Sequence, residues 1–106
     1  MLIRDLNKCN EFIAGDQTIL RELLHPAKAD LKLGYSLAHA IVIPGRSSQP
    51  HRLKTSEVYY ILEGRGIIHI GDETATVHAG QAIYIPPNAT QYIQNESTVD
   101  LKFLCI

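Results

Sequence analysis

Tryptophan is absent from this sequence of 106 residues, and cysteine is limited to Cys9 and Cys105. The two cysteines form no short-spaced metal or redox motif, so we expect a cytoplasmic protein with reduced thiols. The first residues carry no apolar run of signal-peptide length, and no stretch approaches the roughly 18 apolar residues of a membrane span. Ten Lys and Arg are balanced by 11 Asp and Glu. The net charge of −1 provides no basic stripe for nucleic acid, and we expect neither a nucleic-acid nor a membrane partner.

Short apolar segments bounded by turn residues are abundant, and 45% of the residues are hydrophobic. Each segment is rich in Ile, Val, Tyr or Thr, and Gly, Pro or Asn follows most of them, which is typical of β-strands. In the second half of the chain the segments are 58–62, 67–70, 74–78, 81–85, 91–94 and 99–105. A further strand is predicted at 33–43, before Pro44 and Gly45. This regular spacing predicts a single all-β domain of the sandwich or barrel kind.

The segment 18–25 has two interpretations. Its apolar residues at 19, 20, 23 and 24 fit a helical period, and Asp16 could cap such a helix. Eight residues are short for a helix, however, and we expect a strand. We therefore divide the chain into an N-terminal strand or arm over 1–32 and a barrel over 33–106.

Two stretches of the sequence carry the pattern of a known family. From Gly45 to Gly64, His51 and Glu57 lie at the spacing of the first cupin motif, and Leu53 stands where that motif has a second histidine. From Gly80 to Asn95 the second cupin motif is matched at Pro86. In that motif Asn88 replaces a glycine, which is tolerable because Asn also adopts left-handed backbone angles, and Gln91 replaces a histidine.

The chain therefore resembles a small single-domain cupin over residues 33–105. The resemblance implies a double-stranded β-helix, or jelly-roll, barrel. It also implies that the four positions that hold a metal in cupins with the complete motif are His51, Leu53, Glu57 and Gln91. Of these, His51, Glu57 and Gln91 could ligate one divalent Fe, Mn, Ni, Cu or Zn ion. The alternative is a metal-free polar pocket.

Strand alternation indicates which other side chains face the cavity. Tyr59 has the parity of Glu57, and Ile93 has the parity of Gln91. Phe103 and Cys105 alternate with Lys102, which should face water, and Leu53 would form an apolar wall. We expect these five residues to line the pocket, with Glu57 and Tyr59 as candidate catalytic residues.

His39 could supply an extra metal ligand if its strand presents the set 37, 39, 41 and 43 to the cavity. The other set, at 36, 38, 40 and 42, consists mostly of small residues and could line the cavity instead. In that case His39 would lie on an outer face. Both possibilities are left open by the sequence.

The functional expectation is a cupin that binds a small polar molecule. One hypothesis is a divalent-metal enzyme of the isomerase, lyase or dioxygenase type, and the alternative is a non-catalytic, metal-free ligand-binding or sensing protein. The strand Val58–Leu62 is apolar on both faces and needs cover on both sides. We therefore also expect a homodimer.

Overall fold

The structure is a computed structural model that describes residues 1–106 and consists almost entirely of β-strands. A three-residue 3-10 helix at Leu6–Lys8 precedes nine strands. The strands are β1 (Phe12–Ile13), β2 (Ile19–Leu24), β3 (Leu37–Val42), β4 (Glu57–Glu63), β5 (Arg65–Ile70), β6 (Glu73–His78), β7 (Ala82–Ile85), β8 (Gln91–Gln94) and β9 (Leu101–Cys105). No helix is long and apolar enough to cross a membrane.

The strands form two antiparallel sheets that together make the predicted jelly-roll barrel. One sheet has six strands in the order β1-β2-β3-β9-β4-β7, and the other has three in the order β6-β5-β8. The expectation of a strand over residues 18–25 is confirmed, because β2 pairs with both β1 and β3. The helical alternative for this segment is wrong, since its backbone hydrogen bonds run to neighbouring strands.

The hydrophobic core lies between the two sheets. Its largest fully buried apolar side chains are Ile61, Ile85, Ile93, Leu101 and Phe103. These residues alternate with exposed or half-buried neighbours along their strands, so that each sheet contributes one apolar face. The three-stranded sheet closes over this core through residues such as Ile68 and Val77.

Two motif turns require left-handed backbone angles. Gly64, between β4 and β5, has a φ of +80°, and a Cβ there would lie 2.5 Å from the Asp100 carbonyl oxygen. Only glycine fits this position without a backbone shift. Asn88 has a φ of +64°, which explains why it can replace the motif glycine. The backbone amide of Asn88 donates to the Leu53 carbonyl oxygen at 2.7 Å, and this bond joins the two motif loops.

Candidate functional site

An open cavity of about 1110 Å³ lies between the inner face of the six-stranded sheet and the loops that precede β2, β3 and β4. The side chains of β3 that face the cavity are small, because they belong to Ala38 and Ala40. The predicted site residues that line the cavity are His51, Leu53, Glu57, Tyr59, Phe103 and Cys105. Four of these residues, Glu57, Tyr59, Phe103 and Cys105, are ones that strand alternation assigned to the interior.

A buried hydrogen-bond relay connects Glu57, Gln91 and Tyr59. The Tyr59 hydroxyl donates to Gln91 Oε1 at 2.9 Å, and Gln91 Nε2 donates to Glu57 Oε1 at 2.7 Å. Gln91 is only 1% exposed and lies behind the other two residues, outside the cavity lining. Each polar atom of its amide thus has a partner, and its orientation is set by a hydroxyl donor on one side and a carboxylate acceptor on the other.

Burial shifts the pKa values of the two relay residues that face the cavity. It raises the pKa of the Glu57 carboxyl, while the hydrogen bond from Gln91 and the nearby His51 oppose the rise. Burial also raises the pKa of the Tyr59 hydroxyl far above its usual range. Tyr59 therefore remains a neutral donor, whereas Glu57 is the relay residue suited to exchange a proton with a ligand.

His51 lies beside the relay, because its backbone pairs with that of Gln91. The backbone amides of His51 and Gln91 each donate to the other residue's carbonyl oxygen, at 3.0 and 2.8 Å, which joins the two motifs directly. The side-chain Nδ1 of His51 lies 3.0 Å from the Gln49 carbonyl oxygen. Because a carbonyl only accepts, Nδ1 carries the proton and Nε2 is left for a ligand.

Asp16 is a site residue that sequence reasoning did not identify, since it was considered only as a helix cap. Its Oδ1 accepts from the Thr18 backbone nitrogen and hydroxyl at 3.1 and 2.6 Å. The backbone carbonyl oxygen of Asp16 accepts from the backbone amide of Gln49 at 2.7 Å, and this bond anchors the β1–β2 loop beside the first motif. Asp16 Oδ2 then lies 3.9 Å from His51 Nδ1. The Asp-x-Thr turn was visible in the sequence, but nothing local indicated its contact with residues 49–51.

Cys105 and Phe103 take their predicted places in the cavity wall. Phe103 packs against Tyr59 with ring centroids 4.6 Å apart. Burial raises the pKa of the Cys105 thiol, and the charges of Glu57 and Asp16 raise it further. The thiol is therefore protonated and poorly nucleophilic, which suits a wall residue rather than a reactive cysteine.

Besides Gln91, two predicted site residues do not line the cavity. Ile93 has the expected inward parity, but it is fully buried within the hydrophobic core cluster. His39 belongs to the outer face of β3, since Ala38 and Ala40 are the residues that face the cavity. Its cross-strand partners are Arg21 and Leu104 on the same outer face. The structure thus separates His39 from the other proposed metal ligands.

The side chains present do not fit a resident metal ion. No group of three or more His, Cys, Asp or Glu side chains is arranged to hold one. Both amide atoms of Gln91 are used within the relay, Leu53 has no donor atom, and His39 faces outward. A transition-metal site requires several converging lone pairs, which this arrangement does not provide.

Comparisons with known proteins agree with the fold. The family model described as "Cupin domain" matches residues 38–106. An uncharacterised protein of Methanocaldococcus jannaschii is 43% identical over 102 residues, which cover 95% of this chain and 81% of that protein. An oxalate-binding protein of Thermotoga maritima is 31% identical over 64 residues, 59% of this chain and 53% of that protein.

A solved structure has the same fold. The predicted oxalate decarboxylase of Thermotoga maritima superposes with a TM-score of 0.83 at 23% identity, over 99% of this chain and 96% of that one. The match of the family model over most of the chain agrees with the two motif loops, their left-handed turns and the two-sheet barrel. This chain belongs to the cupin family.

Proposed function

We propose that the chain is a metal-independent cupin that binds a small polar molecule in the cavity beside Glu57. The Glu57–Gln91–Tyr59 relay is the observation that carries this proposal. A buried amide with both atoms engaged holds a carboxylate at the cavity wall, and a purely structural core would be expected to use aliphatic side chains there. The metal-dependent alternative is disfavoured because Gln91 is not among the residues that line the cavity, and its Oε1 already accepts from the Tyr59 hydroxyl.

Glu57 is the proposed acid–base group of this site. Gln91 occupies its Oε1, so Oε2 remains to accept a hydrogen bond or a proton from a ligand. Because burial raises the pKa of Glu57, this pKa lies closer to neutral pH than that of an exposed carboxylate. His51 Nε2 provides a second acceptor in the cavity lining, and Leu53 and Phe103 provide apolar contact.

Relatives support the binding of small molecules in general. By its name, the Thermotoga relative binds oxalate. A dimethylsulfoniopropionate lyase of Ruegeria pomeroyi is 44% identical over 46 residues, which span only 30% of that protein. These relatives differ in ligand and activity, so the ligand of this chain has to be inferred from the side chains of its own cavity.

Metal analysis and ligand screening test the proposal together. Untagged protein should contain little Fe, Mn, Ni, Cu or Zn by mass spectrometry, and His51→Ala should leave that content unchanged. A screen of amines, amino acids, sugars and small carboxylic acids by thermal shift should yield stabilising compounds whose effect survives EDTA and is lost in Glu57→Gln. Stoichiometric metal that His51→Ala removes would overturn the proposal.

We also propose that the outer face of the six-stranded sheet forms a homodimer interface. Cross-strand pairing places Tyr84 beside Val58 and Tyr60 beside Leu104 on this face, and Tyr84 and Tyr60 are 64% and 40% exposed. Such an apolar surface is typical of an interaction site. Light scattering should report a dimer for the wild type and a monomer for Tyr60→Glu, and a monomeric wild type would contradict this proposal.

A further inference from the structure

The carboxylate and imidazole side chains that line the cavity are Asp16, Glu22, Glu57, His25 and His51. Neither a lysine nor an arginine is among the lining residues, although the chain contains ten of them. The nearby motif residues Arg52 and Lys54 are exposed and do not contribute to the wall.

Two of the three carboxylates lack a cationic partner of fixed charge. Glu22 is neutralised by Lys28, whose Nζ lies 2.6 Å from Glu22 Oε2. Asp16 has only His51 nearby, at 3.9 Å, and that ring carries a charge only when it is protonated. Glu57 is hydrogen-bonded to the neutral amide of Gln91. Asp16 and Glu57 therefore give the cavity a net negative charge that no side chain within it cancels.

The aromatic side chains of the wall suit the same kind of ligand. Tyr59 and Phe103 border the cavity and pack against each other at an interplanar angle of 40°, with only 3% and 1% of their surfaces exposed. Aromatic faces attract organic cations electrostatically, most strongly where water is excluded. An anionic ligand would instead meet two carboxylates, without a lysine or an arginine to pair with it.

We propose that this cavity selects a small organic cation, such as an alkylammonium or sulfonium compound, over neutral and anionic molecules of the same shape. The inference rests on the proposed ligand-binding function and specifies the charge of the ligand. Asp16 and Glu57 supply the charge complementarity, and Tyr59 and Phe103 supply the aromatic contact. The field of Asp16 also reaches the relay, because it raises the pKa values of Glu57, Tyr59 and Cys105.

Three probes of similar shape but different charge test the charge preference. Choline is the cation, 3,3-dimethylbutan-1-ol is its neutral isostere, and 3,3-dimethylbutanoate is the anionic counterpart. Their affinities are measured by titration of backbone amide resonances of cavity residues in the wild-type protein. Choline should bind at least about tenfold more tightly than the alcohol, since one close charge pair in a partly shielded site is worth that much.

A matched pair of variants identifies the charge responsible. Asp16→Asn removes the carboxylate but keeps the Oδ1 that accepts from Thr18, so the loop should remain folded. Asp72→Asn makes the same change of net charge at an exposed turn between β5 and β6. Choline affinity should fall about tenfold in Asp16→Asn and remain unchanged in Asp72→Asn.

The outcomes separate this inference from the proposed function. If the alcohol or the anion binds the cavity as tightly as choline, or if Asp16→Asn leaves the affinity unchanged, the charge preference is wrong while the binding cavity stands. If none of the three probes shifts cavity resonances, the charge preference is wrong as well. The proposed function is also wrong only if the wider thermal-shift screen yields no stabilising compound.

Discussion

The two ends of the barrel use the same strands for opposite purposes. At the closed end, β4 and β9 place Ile61 and Leu101 in a core without solvent access. At the open end, four residues away along the inner faces, the same strands present Glu57 and Cys105 to a cavity. One sheet therefore provides stability at one end and a polar site at the other, and substitutions at the two ends should differ in kind.

The largest expected effect comes from truncating matched inner-face residues of β9. Leu101→Ala should lower the free energy of unfolding by about 3 kcal/mol, because the packed closed end leaves a void that its neighbours cannot fill. Cys105→Ala should cost about 1 kcal/mol or less, since its side chain already borders a cavity. Urea denaturation at fixed pH measures both. Equal losses at the two positions would contradict the distinction between the ends.

The second effect concerns the relay at the open end. Gln91→Leu should lower the free energy of unfolding by about 2 kcal/mol, because it leaves the Tyr59 hydroxyl and the Glu57 carboxylate without their partner. Tyr59→Phe removes one of these unpaired groups. The double variant should therefore lose less than the sum of the two single losses, which a double-mutant cycle detects. Strict additivity would indicate that the relay does not act as a unit.

The smallest effect is a gain of stability that depends on pH. Burial raises the folded-state pKa of Glu57 above its ordinary value of 4.5, so its contribution to stability is complete below that value and is lost as pH rises through the folded pKa. Glu57→Gln does not titrate, and it should be more stable than the wild type by about 1 kcal/mol at pH 7. At pH 4 this advantage should disappear.

Chemical denaturation of both proteins at the two pH values measures this difference. Glu96→Gln provides the control, because it removes the same charge from an exposed loop side chain. A stabilisation by Glu57→Gln that is equal at pH 4 and pH 7 would show that the carboxylate is not the cause.

On β4, β8 and β9, strand alternation predicted which residues face inward but not how deeply they are buried. Tyr59, Phe103 and Cys105 line the cavity as expected, whereas Ile93, with the same inward parity, lies in the core. The period of two residues assigns a side chain to one face of a sheet. Whether that face meets a neighbouring sheet or open space depends on where the strand lies in the barrel, which a local pattern does not contain.

The turn residues and the alternating apolar segments predicted an all-β sandwich or barrel, because left-handed turns and strand alternation are local requirements. The resemblance of the two motif spacings to those of cupins implied the jelly-roll form of that barrel. Only the tertiary structure decided that His39 faces outward, that Gln91 lies behind Glu57, and that Asp16 reaches the cavity from the β1–β2 loop. These three placements depend on contacts between residues distant along the chain. Local propensities carry no information about such contacts, since their geometry is fixed only when the sheets close.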